Sequence, residues 1–138
     1  MSAASLPIYF ENAVATLREH PDGYVVFKYH PGPRQFAAFQ AVLTHTGNLL
    51  RSRDWYKILG DQRLMTPFTE EETTWVTTYW LDHARHRPGG IYAAVLLADD
   101  VFARLAATQL RHEAKAAALT YRLFEHEGEA AAWLRQLG

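Results

Sequence analysis

Four short runs rich in apolar and β-branched residues, at positions 24–29, 56–59, 91–97 and 119–124, are separated by stretches whose apolar residues recur three, four and seven apart. This repeated switch between strand and helix periodicity is the strongest constraint on the fold. Phe36, Phe39, Val42, Leu43, Leu49 and Leu50 paint one face of a helix, and Trp75 and Tyr79 do the same beside a row of Val76, Trp80 and Ala84. Val101, Phe102, Leu105 and Leu110 among alanines predict a third helix, with a polar face running through His112, Glu113 and Lys115. Ala130, Trp133, Leu134 and Leu137 predict a fourth.

The opening is less regular. Ile8, Phe10, Val14 and Leu17 read as one strand over 8–17, turned by Pro21-Asp22-Gly23 into a hairpin with 24–29. A helix over 12–20 capped by Asn12 is the rival reading. The predicted class is α/β: a single mixed β-sheet of about five strands, an N-terminal antiparallel hairpin followed by alternating helix and strand, flanked by about four helices.

Local signals set the helix ends. Pro33 suits the first position of a helix, and Gly47 is expected to nick that helix late or end it early. Thr69-Glu70-Glu71-Glu72 matches a capping box, with three carboxylates at the positive end of the helix dipole. The basic run through His83 and His86 ends at Pro88-Gly89-Gly90. Asp99 or Asp100 can cap the following helix.

A chain of 138 residues is read as one domain, 1–138, with 1–7 as a disordered tail. Its 14 basic and 15 acidic residues are scattered and its formal net charge is -1, which argues against a nucleic acid partner. No cysteine is present, so disulfides and thiolate metal sites are excluded and a reducing cytoplasm is expected. The longest apolar run, 92–98, is far short of the roughly 20 residues a bilayer span needs.

The corner after the central strand is the first place to look for a site, because ligands of open α/β sheets sit beyond the carboxyl ends of strands. Asp61 and Arg63 stand there, followed by Met65 and Phe68 before the helix and by Trp75 and Tyr79 on it. Arg63 can offer a planar fork to a carboxylate or phosphate, or simply pair with Asp61. The aromatics can line an apolar pocket or pack in the core. His83 and His86 have the spacing of half a metal site without further ligands, no serine sits in a nucleophile elbow, and no catalytic set is recognisable.

In this order of elements the chain resembles the SpoIIAA-like proteins of the STAS superfamily, whose sheet is related to that of CRAL-TRIO lipid carriers. The likeness is carried by the opening hairpin, Lys57-Ile-Leu-Gly-Asp61-Gln-Arg63, Trp75 and Trp80, Ala93-Ala-Val-Leu, Asp100-Val-Phe102, Phe124-Glu and Ala132-Trp133-Leu134. The resemblance implies regulation or binding more readily than catalysis. It also implies a phosphorylated serine after an aspartate at this corner, where the chain has Gln62, leaving Thr66 as the nearest hydroxyl. The expected function is a non-catalytic module, without cofactor or metal, that docks a partner protein or a small apolar ligand between residues 60 and 75. An enzyme using Asp61, Arg63 and a histidine supplied by the fold is the second reading, and a self-associating homodimer subunit is the third.

Overall fold

The computed structural model describes residues 5–84, 90–106, 113–116 and 119–137. The first two strands, β1 (Ile8–Glu11) and β2 (Ala15–His20), divide the single strand expected over 8–17. Asn12 makes the division: its Oδ1 accepts the N–H groups of Val14 at 2.9 Å and Ala15 at 3.3 Å, while its Nδ2 donates to the Ala38 carbonyl at 3.0 Å. The side chain that would have capped a helix over 12–20 instead closes a turn. β3 (Tyr24–Tyr29) pairs antiparallel with β2 across the Pro21-Asp22-Gly23 turn, in which Gly23 takes φ 89°.

The alternating part follows as α1 (Phe36–Arg53), β4 (Lys57–Asp61), α2 (Glu70–Ala84), β5 (Ile91–Leu96), α3 (Asp99–Ala106), β6 (Glu113–Ala116), β7 (Leu119–Phe124) and α4 (Glu127–Gln136). The strands form one mixed sheet in the order β1-β2-β3-β4-β5-β7-β6, parallel from β3 through β7 and antiparallel at both edges. The class is the expected α/β, with seven strands among the described residues rather than about five. Glu113 and Lys115, expected on the polar face of a helix, instead belong to β6, which pairs antiparallel with β7. Alanine's helix propensity, at most about 1 kcal/mol per residue, is overridden there by an open sheet edge. The His112 part of that reading, like Leu110, His86 and the Pro88-Gly89 stop, lies outside the described residues.

Two cores sandwich the sheet. On one face α1 and α2 bring Phe39, Val42, Leu43, Leu50 and Trp80 onto Val25, Phe27, Ile58 and Ala93. On the other, α4 packs Ala130, Trp133 and Leu134 onto Val26, Leu59, Ala94, Leu96 and Phe124. Leu6 joins this second core and the Pro7 carbonyl accepts the Glu19 N–H at 3.1 Å, so residues 5–7 of the expected tail are part of the fold. The Lys57 ammonium is buried and donates to the Leu134 carbonyl at 2.7 Å, satisfying an acceptor at the negative end of α4. Asp99 and Asp100 fall inside the first turn of α3, where their charges still favour the dipole.

Neither helix signal in the 33–47 region acts as expected. α1 begins after Gln35, leaving Pro33 outside, because Arg34 is drawn away to bond the 66–67 backbone and Glu72. Gly47 neither nicks nor ends α1, which runs to Arg53 and stops at Asp54 in the left-handed region, φ 56°. The glycine is there for space, since a Cβ at 47 would stand 1.8 Å from the Tyr79 hydroxyl and 3.1 Å from its Cζ. Gly47→Ala is expected to cost about 1–3 kcal/mol by overpacking, despite alanine's better helix propensity. Adding Tyr79→Phe is expected to restore part of that loss, as denaturant melts on the double-mutant cycle would report. A gain in stability from Gly47→Ala alone would contradict this packing.

Candidate functional site

Between the sheet and the α1–α2 layer lies a cavity of about 380 Å³. Its cause is in the alternation of the central strands. Residues facing α1 and α2 are Phe27 and Tyr29 on β3, Ile58 and Gly60 on β4, Ala93 and Val95 on β5, and Leu119, Tyr121 and Leu123 on β7. Gly60 pairs with Val95 and Ala93 with Ile58, so the two small residues stand diagonally on the middle strands and are too small to fill the inter-layer space. Leu43 of α1 with Val76 and Trp80 of α2 form the opposite wall, and Gln62, Phe68 and Leu97 complete the lining.

Among the described residues that line it, none is charged, and the residues with polar side-chain atoms are Tyr29, Gln62, Trp80 and Tyr121. Burial pushes the Tyr29 phenol well above its ordinary value, with the Arg34 guanidinium pulling weakly the other way. An apolar space with a few polar handles suits an uncharged organic molecule.

The loop before α2 is held over this space by a buried ion pair. Arg34 Nε donates to Glu72 Oε2 at 2.9 Å and Arg34 Nη2 to Glu72 Oε1 at 2.7 Å, with both side chains 4 % exposed. The same guanidinium donates to the Thr66 and Pro67 carbonyls at 2.8 and 3.1 Å and lies over the rings of Phe39 and Phe68. Glu72 also completes the expected capping box, accepting from the Thr69 N–H at 2.9 Å while its own N–H donates to Thr69 Oγ1 at 3.1 Å. Hydrogen bonds from Arg34 hold the Glu72 carboxyl below its ordinary value, against the opposing effect of desolvation.

Of the residues expected to bind a ligand, the structure places Phe68 in the cavity wall, where it also meets Tyr29 and Phe39 edge-on. Met65 packs against the core without lining the cavity. Trp75 lies outside it, between Phe36, Phe39 and Tyr79. Tyr79 reaches across to α1, where burial raises its phenol's pKa and its hydroxyl has no hydrogen-bond partner of good geometry among the described residues. Trp80 is both core and cavity wall. Sequence reasoning missed Gly60, Ala93 and Arg34, of which the first two were visible as small residues at inward positions of apolar strands.

Asp61 and Arg63 face the other side of the sheet. Asp61 Oδ1 accepts the Arg63 N–H and Nε–H, each at 3.1 Å, and its Oδ2 accepts Nη2–H at 2.9 Å. This is the local pair anticipated as the plainer reading. His30 enters the same region, but its Nε2 is 2.8 Å from the Thr16 hydroxyl, and no histidine bonds Asp61 among the described contacts. Thr66 uses its hydroxyl to accept the Gly32 N–H at 3.0 Å. His83 is buried beside Arg51, with its partner in the suggested half-site outside the described residues. Among the described residues no helix is long and apolar enough to cross a membrane.

Compared with known protein-family models, curated proteins and solved structures, the chain matches none.

Proposed function

We propose that this chain is a cytoplasmic binding module, of the SpoIIAA-like kind its sequence resembles, that holds a small uncharged apolar molecule between its sheet and α2. The observation that carries this reading is the cavity of about 380 Å³ with apolar walls around Gly60 and Ala93. Small-molecule sites span roughly 300–1,000 Å³, and an engineered aliphatic and aromatic cavity of about 150 Å³ stays dry and takes up benzene or xenon. A second support is the absence of charge in the described lining, since an unpaired buried charge would exclude an apolar guest. The paired state of Asp61 and the separate engagement of His30 favour binding over transformation.

Gly60→Leu tests the reading. A Cβ at 60 meets nothing nearer than the Ala94 carbonyl at 3.9 Å, so the backbone accepts the substitution and the added side chain enters the cavity. Naphthalene followed by two-dimensional NMR is expected to bind the parent chain saturably and the variant at least about tenfold more weakly, ~1.4 kcal/mol, with folding retained. Absence of naphthalene binding to the parent, or equal binding to both, would overturn the proposal.

A further inference from the structure

The sheet face opposite the cavity carries a second concavity, with different chemistry. Register places Arg18 opposite Val26 and Thr16 opposite Lys28 across β2 and β3, then Val26 beside Leu59 and Lys28 beside Asp61 across β3 and β4. Alternate residues share a face, so these six form a two-by-three grid at the carboxyl ends of β3 and β4. α4 packs over β4, β5 and β7, and beside it a groove of about 510 Å³ opens over this grid.

The groove's acceptors are already occupied. Asp61 accepts three N–H groups of Arg63, and Glu127 at the rim lies 3.5 Å from the same guanidinium. The Thr16 hydroxyl donates to Glu11 Oε2, so its contact with His30 uses that ring's Nε2–H as donor. The cations are less committed. Arg18 gives one N–H to the Leu6 carbonyl at 2.7 Å, and the side chain of Lys28, exposed on its strand, makes no ion pair or hydrogen bond among the described residues. Arg18 and Lys28 are diagonal neighbours on an antiparallel pair, about 7–8 Å apart at their Cα atoms, which long side chains span easily. The groove therefore has two cationic side chains at diagonal grid positions, carboxylates that face Arg63, and a floor closed by the buried Val26 and Leu59.

We propose that this groove is a binding site for a small molecule bearing one oxyanion, a carboxylate or phosphate group, held by Lys28 and Arg18. It is separate from the cavity, because Gly60 and Asp61 point to opposite faces of β4. The test is an NMR titration of the full chain with inorganic phosphate and with acetate, against sodium chloride at matched ionic strength. Saturable shifts confined to amides near 16–18 and 26–30, weakened about tenfold or more by Lys28→Gln, are expected; response to one anion alone identifies the group preferred. Shifts that match chloride, fail to saturate or persist unchanged in Lys28→Gln would mean a diffuse ion atmosphere and overturn the site. Naphthalene binding is expected to survive Lys28→Gln, so the two sites fail independently.

Discussion

Glu72→Ala is expected to destabilise the chain by about 3–5 kcal/mol, because it leaves the Arg34 guanidinium buried without its counter-ion. The same change removes half of the capping box at Thr69 and loosens the loop held through the Thr66 and Pro67 carbonyls. Arg34→Ala is expected to cost as much for the mirror reason. The pair also gives stability a pH dependence with a definite sign. The Glu72 carboxyl is held below the ordinary value of 4.5, so the unfolded chain takes up a proton before the folded one does. Its contribution is full above that value and is lost as pH falls through the lower folded value. Denaturant melts from pH 7 downward are expected to show the gap between the parent chain and Glu72→Gln narrowing below pH 4.5. A gap that stays constant would mean that Glu72 titrates alike in both states.

Trp80→Ala is expected to cost about 3–5 kcal/mol, the loss typical of deleting a large buried aromatic side chain. Trp80 is 6 % exposed, packs with Tyr79 and His83, and separates the cavity from the α2 backbone, so its removal enlarges a space already incompletely filled. Trp75→Ala is expected to cost only about 1–2 kcal/mol, because Trp75 is half-buried and lies outside the cavity. Naphthalene affinity is accordingly expected to change in the Trp80 variant and to hold in the Trp75 variant, whereas the place of Trp75 near the corner predicts the binding role for Trp75. Equal losses of stability and of binding at both positions would show that α2 sits differently over the sheet.

The elements with a long, unbroken period were legible from the residues themselves. β3, β5 and β7 follow from their β-branched and aromatic runs, α4 from Ala130, Trp133 and Leu134, and the start of α2 from Thr69 and Glu72. What could not be read depends on contacts distant along the chain. Asn12 has the chemistry of both a helix cap and a tight turn, and its bond to the Ala38 carbonyl, 26 residues away, belongs to the turn. The segment 113–116 alternates charge and alanine, equally at home on a helix, until β7 offers it an edge. Arg34 looks like an ordinary surface cation after a proline, and only folding brings Glu72 to it from 38 residues on. The cavity shows the same division: alternation makes Gly60 and Ala93 inward residues, but the space above them exists because the Arg34–Glu72 pair, Phe68 and Trp80 fix the height of α2.

The central claim is that the space between Gly60, Ala93 and Trp80 is empty of the protein's own atoms and apolar enough to receive a guest. Diffraction from crystals of the chain under xenon pressure tests it most directly, since xenon enters dry apolar cavities without charge or hydrogen bonds. The account predicts a xenon site bounded by Ala93, Val95, Val76 and Trp80, lost in Gly60→Leu. A map with no xenon there and side chains from the two layers in direct contact would contradict it.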